Sequence, residues 1–287
     1  MRTCILPHKP PAVKTIPKPV LAPAAPCPHP PGPGSPHAAG RRGPLGAEST
    51  PGRSAMNYRR ILVFGAHPDD EITMAATMAK LAAQGVEVAV AILTDGSEGF
   101  PDPAWRDRIV QMRAAEMSEC DRLLGIKRRF HLAQPDMGLV QGKRIFKDCI
   151  HAVRQTRPEA VFTHGPAGIN PDHVATWQIT VPAVWQAGEP VSADLGEPWQ
   201  VRHLYYYKEV ETSRRAVGPA VTFDVTGFAH YRLLALATQV SQHTLFGKTR
   251  QQLEAEASRV REAGEPASDT FWLSERFLLR DFPPREC

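Results

Sequence analysis

Four times between Arg59 and Ala187, a short apolar run precedes a segment whose apolar residues recur at helical spacing. The runs are "RILVFGA", "VEVAVAILTDG", "RRFHLA" and "EAVFTHG". The helical segments are "EITMAATMAKLAAQG", "PAWRDRIVQMRAAEMSECDRLLG", residues 143 to 156, and "DHVATWQITVPAVWQA", the last carried through Pro182. Short apolar runs are what strands buried on both faces require, and strands joined through helices run parallel. The alternation predicts an α/β fold, a mostly parallel sheet with helices on both faces. Beyond Val201 the pattern weakens. "VRHLYYYKEV" and "AVTFDVT" predict further strands and 228 to 263 one or two helices, a C-terminal extension of the sheet and its helices. No internal repeat occurs.

Residues 1–55 break the pattern. They hold 14 of the 28 prolines, seven basic residues and one acid, Glu48, with no apolar periodicity. Such a composition builds no core and predicts a disordered Pro-rich leader. The alternatives are a misplaced start, with Met56 the first residue, and a transit peptide, whose amphipathic pattern is missing. The folded part is expected to be 56–287. Removing the leader's seven bases and one acid from 34 and 30 leaves 27 against 29, a net charge of −2. The basic pI therefore belongs to the leader and gives no reason to expect nucleic acid as a partner. No stretch approaches the roughly 18 apolar residues of a membrane span. The five cysteines (4, 27, 120, 149 and 287) show neither a disulfide framework nor a CxxC site. A soluble, reduced, cytoplasmic domain is expected.

In parallel sheets ligands bind beyond the carboxyl ends of the strands. Three polar clusters fall there: "HPDDE" after the first strand, "TDG" after the second and "GPAGINPDH" after the fourth. His67 and Asp70 are three residues apart across a strand-to-helix turn, so both can reach one ion. His173 is placed at the same edge. Two imidazoles and one carboxylate leave a fourth position for water, the pattern of catalytic zinc. Asp69 would then stand beside the metal, placed to accept a proton from water. The competing reading makes these residues helix caps.

These motifs resemble the PIG-L/LmbE family of zinc-dependent de-N-acetylases, over about residues 59 to 280. The resemblance implies a Rossmann-like fold and a hydrolase that removes acetyl from an N-acetylated amino sugar or related small-molecule conjugate. It implies zinc on His67, Asp70 and His173, with Asp69 as general base. Other divalent metals such as Fe2+ suit the same donors. The family commonly has His-Pro-Asp-His where this chain has Asn170-Pro171-Asp172-His173. The family's first histidine there is an oxyanion donor, so Asn170 becomes the candidate oxyanion contact and Asp172 loses its usual partner. An Asn amide donates a hydrogen bond but carries no charge. Arg113 and Asp136 match substrate-facing positions of the family; an exposed helix Arg and a turn Asp are the plain alternatives. Gln239 stands where a late family motif has His. Two rival readings follow: a sugar-binding protein of the same fold that has lost catalysis, and a non-haem Fe(II) enzyme, whose facial triad has the same donors.

Overall fold

The computed structural model describes residues 58–207 and 218–274; the Pro-rich leader lies outside the described residues. Its elements in chain order are β1 (Arg60–Gly65), α1 (Ala75–Ala83), β2 (Glu87–Thr94), α2 (Ile109–Leu124), β3 (Arg128–Gln134), α3 (Lys143–Thr156), β4 (Ala160–Thr163), α4 (Pro171–Ala187), β5 (His203–Tyr206) and β6 (Ala220–Asp224). They continue with α5 (His230–Thr238), α6 (His243–Phe246), α7 (Arg250–Ala263) and β7 (Ser268–Leu273). The sheet order is β3-β2-β1-β4-β5-β7-β6. The first five strands in that order run parallel, and β7 is antiparallel to both β5 and β6. The order reverses between β2-β1 and β4, so the loops after β1 and β4 diverge above neighbouring strands. There a doubly wound sheet opens its crevice.

Strand β1 explains why the sheet is covered on both sides. Successive side chains of a strand point to opposite faces, and here both faces are apolar. Ile61 and Val63 join one cluster with Met78, Val90 and Met117, under α1 and α2. Leu62 and Phe64 join the other with Leu93, Ile150 and Ile179, under α3 and α4. All four β1 side chains are fully buried.

The predicted order of elements is the observed one through α4, and Pro182 does lie inside that helix. Two features depart from the pattern. The first turn after the "HPDD" segment is a 3-10 turn, Asp70–Met74, before α1 begins at Ala75. The seventh strand, β7, was not expected, because "SDTFWL" earns its place from long-range pairing with β5 and β6.

Two glycines set the crevice. A Cβ on Gly65 would lie 2.9 Å from Ile92 Cδ1 and 3.1 Å from Asp70 Cβ, so β1 ends in close contact with that turn. Gly96 has φ +67, and a Cβ there would meet Pro68 Cγ at 2.9 Å. The "TDG" segment thus braces the first cluster from behind. Thr94 adds two hydrogen bonds to the Ala66 carbonyl, from its amide at 2.9 Å and its hydroxyl at 2.8 Å.

Candidate active site

The chain places Asp69, Asp70 and Glu71 side by side, yet their carboxylates do not meet. Asp69 caps the 3-10 turn, and the successive residues Asp70 and Glu71 within it project about 120° apart, so each acid finds its own cation or imidazole. Asp69 Oδ2 lies 3.0 Å from Arg113 Nη2. Glu71, fully buried, accepts from Arg129 Nη2 at 2.7 Å, and Arg129 also bonds Asp121. Burial opposes the Arg129 charge, but Glu71 and Asp121 keep it firmly protonated.

Asp70 turns inward to the histidines. Its Oδ2 accepts from the His67 backbone at 2.8 Å and lies 3.1 Å from His164 Nε2. Its Oδ1 lies 3.2 Å from His173 Nε2. Burial alone would raise this carboxyl; His164, then the hydrogen bonds of His173 and His67, hold it well below the usual carboxylate range.

His67 Nδ1 is 3.2 Å from His173 Nε2 and 3.4 Å from Asp70 Oδ2. One donor atom each from His67, Asp70 and His173 lies within 4.8 Å of the others. Tetrahedral bonds of about 2.0–2.1 Å to a zinc-like ion set ligand atoms roughly 3.3–3.4 Å apart. The two imidazole nitrogens have nearly that spacing, and Asp70 offers one oxygen to each of them, a donor set that fits such an ion. Asp70 and His173 are buried, whereas the His67 side chain keeps 15% exposure on the open side.

A second group shares His67. Its Nε2 lies 3.2 Å from Asp136 Oδ1 and 3.4 Å from Asp172 Oδ2. Burial would lower the His67 pKa, but its bonds to Asp136 and Asp70 raise it to about 10. Burial likewise opposes the Asp136 charge, and the His67 bond, with the Glu98 and Met137 amides, holds that carboxyl below its usual range.

The structure gathers His67, Asp69, Asp70, Asp136, Asp172 and His173, and it adds a residue that sequence reading missed. His164 follows β4, is fully buried, and stacks on His173 with ring centroids 4.1 Å apart. Its signal was present: β4 pairs with β1 in parallel, so a histidine just after β4 reaches the residues just after β1. Asn170 is the N-cap of α4, its Oδ1 accepting from the Asp172 amide at 2.9 Å. The residue is exposed, with its amide NH2 as the remaining donor. Arg113 is buried, not an exposed helix Arg, and its Nε and Nη1 have no hydrogen-bond partner among the described residues. Behind it Glu116 lies 4.0 Å away and accepts from the Ser241 amide and hydroxyl at 2.6 and 2.8 Å. Gln239 is fully buried and donates to Thr238 Oγ1. A cleft of about 270 Å3 opens beside Asp69 and Asp70, walled by Ile72, Thr73, Arg232, Leu236 and Phe246.

The switch point of this α/β sheet thus carries two imidazoles and a buried carboxylate able to hold a metal ion, with a second, separate carboxylate beside them. The family model described as GlcNAc-PI de-N-acetylase, PIG-L, matches residues 62–184. A deacetylase of Rhodococcus jostii, named for 1D-myo-inositol 2-acetamido-2-deoxy-alpha-D-glucopyranoside, is 34% identical over 182 residues. That alignment covers 53% of this chain and 62% of the relative, so the chain spans about three fifths of that protein's length. The solved N,N'-diacetylchitobiose deacetylase of Pyrococcus horikoshii superposes with a TM-score of 0.64 at 25% identity, covering 80% of this chain and 88% of that one. The fold alone does not select the reaction. GalB, a 4-carboxy-2-hydroxymuconate hydratase, shares it with a TM-score of 0.59 at 18% identity, covering 75% of this chain and 95% of that one.

Proposed function

We propose that the protein is a metal-dependent hydrolase that removes the acetyl group from an N-acetylated amino sugar conjugate. The observation that carries this reading is a three-donor cluster, its ligand atoms within 4.8 Å of one another, with a carboxylate beside it, Asp69, that belongs to none of the candidate ligand groups. His67, Asp70 and His173 would hold the ion. Two nitrogens and one oxygen at this spacing favour zinc. When bound, such an ion acidifies water and polarises the acetamide carbonyl.

The chain's own residues supply the rest. Asp69 takes the proton that water must lose and returns it to the leaving amine. Arg113, buried, fixes the direction of Asp69 through the 3.0 Å contact. Asp70 is oriented by the His67 amide and by His164, which leaves Oδ1 toward His173. Asn170 offers its amide N–H to the developing oxyanion. The cleft walled by Arg232, Leu236 and Phe246 takes part of the substrate.

The relatives support this substrate class: one deacetylase is named for a 2-acetamido glucoside of inositol, another for diacetylchitobiose. Acetate release from N-acetylglucosaminyl-inositol and N,N'-diacetylchitobiose tests the reading, together with metal content. One equivalent of metal and stoichiometric acetate are expected. A metal-loaded protein that releases acetate from neither, nor from other N-acetylglucosaminides, refutes it.

A further inference from the structure

We infer that Asp136 and Asp172 are positioning residues for His67: Asp136 fixes the imidazole from behind, and Asp172 holds the loop that brings Asp136 there. The inference rests on the metal-centre reading of His67, Asp70 and His173. His67 turns Nδ1 toward Asp70 and His173. A nitrogen that is to bind a metal needs a free lone pair, so the ring proton must sit on Nε2. That atom lies 3.2 Å from Asp136 Oδ1. A carboxylate on the far nitrogen of a ligating imidazole fixes its tautomer and raises its basicity.

The loop that carries Asp136 is held by hydrogen bonds. Met137 has φ +56, a left-handed conformation that L side chains rarely adopt. Its side chain is 77% exposed, so packing does not impose that backbone. Its amide instead donates to Asp172 Oδ2 and to Asp136 Oδ1, each at 2.8 Å. Two residues on, the Leu139 amide donates to Asp172 Oδ1 at 3.1 Å. Asp172 therefore binds this one loop with both oxygens, its Oδ2 also lying 3.4 Å from His67 Nε2, and it precedes His173 directly in the chain. The clamp ties the position of one candidate ligand, His67, to the helix turn that carries another.

The arrangement also leaves Asp136 little capacity for a substrate. Its Oδ1 faces His67 and Met137, and its Oδ2 accepts from the Glu98 amide at 3.1 Å. The histidine that Asp172 lacks in this chain is replaced, as its partner, by two backbone amides.

Three measurements on purified full-length protein test the assignment: zinc affinity by chelator competition, amide exchange at Met137 and Leu139 in the metal-free state, and the His67 Nε2–H signal in 15N spectra. Asp136→Ala should weaken zinc binding by roughly 10–100-fold. It should also speed exchange of the His67 ring proton, while the Leu139 amide stays protected. Asp172→Asn offers one acceptor oxygen where the carboxylate offered two. At least one of the two amides should then exchange about tenfold faster, the equivalent of one lost hydrogen bond. Zinc affinity should fall with it. Asp136→Ala folds with the Asp172 clamp in place, so it decides the matter even where Asp172→Asn is poorly folded. Zinc affinity and ring-proton exchange equal to wild type in Asp136→Ala overturn the inference and leave the hydrolase reading standing. A wild-type protein that takes up no metal removes both.

Discussion

Asp69→Asn separates binding from chemistry. Asn has the same shape, but its amide cannot accept the proton that a carboxylate takes. General-base catalysis is worth roughly 10²–10⁴-fold, which is about 3–5 kcal/mol of barrier. The effect on folding is smaller. The Asp69 side chain is 26% exposed and Arg113 only 3%, and an Asn oxygen can still accept from Arg113 Nη2. What is lost is the excess strength of a charge-assisted bond, about 1 kcal/mol. For a domain of this size that lowers Tm by about 2–4 °C. Metal content should not change, because Asp69 belongs to neither candidate ligand group. Acetate release at saturating substrate, metal analysis and a thermal melt on one preparation provide all three numbers. A folded, metal-loaded Asp69→Asn protein with turnover within about tenfold of wild type would refute the role of base.

His67→Ala removes the donor shared by both candidate ligand groups, so purified protein should lose its bound metal; unchanged metal content would sink the ligand assignment. Metal uptake at pH 7 should release about one proton, because the metal-free protein keeps His67 protonated up to about pH 10. Calorimetry in buffers of different ionisation heat counts that proton, and a count of zero contradicts the predicted charge state. The same shifts set the metal-free protein's stability. His67 contributes fully below its ordinary 6.5 and loses that contribution as pH rises through about 10. Asp70 and Asp136 contribute above their ordinary 3.8 and lose it as pH falls through their depressed values. Asn170→Ala should cost about 0.5–2 kcal/mol as a lost helix cap and lower turnover more than it weakens substrate binding. Asn170→His should match or exceed wild type and add a pH dependence near the imidazole pKa. Unchanged turnover in Asn170→Ala would mean that residue 170 does not face the reaction.

The sequence reached the parallel sheet because each central strand is buried on both faces and shows it as an apolar run. It did not reach β7, where Asp269 is buried as the partner of Thr77 and Arg232 and interrupts any local pattern. The candidate ligands were legible because each sits at a strand end in a short polar motif. His164 was not, since its meaning comes from β4 lying beside β1 and from Asp70 facing it across that pair. Arg113 could not be placed from helix periodicity alone. Its burial is set by Asp69 in front and Glu116 behind, contacts that no local spacing encodes. Asp136 read as a turn residue or a substrate contact for the same reason: its tie to His67 runs through a loop clamped by Asp172, 35 positions from Met137 in the chain.

The divergence of the three acids gives a last test, because it assigns three different losses to three neighbouring residues. Asp70 faces the metal cluster, Asp69 faces Arg113 at the crevice, and Glu71 faces the core. Glu71 Oε1 is bonded to Arg129, while its Oε2 is buried without a hydrogen-bond partner. In Glu71→Gln the amide oxygen can keep the Arg129 bond, so the NH2 group must go where Oε2 lies. A buried donor without an acceptor costs about 1–3 kcal/mol, or about 2–4 °C in Tm per kcal/mol. Asp121 still pairs with Arg129, so no lone buried cation adds to the loss. Folded Glu71→Gln protein should therefore melt early yet keep full metal content and wild-type turnover. If it instead lost turnover as Asp69→Asn does, or metal as His67→Ala does, the three side chains would not point in three directions. The 3-10 turn and its cap would then not be what separate their charges.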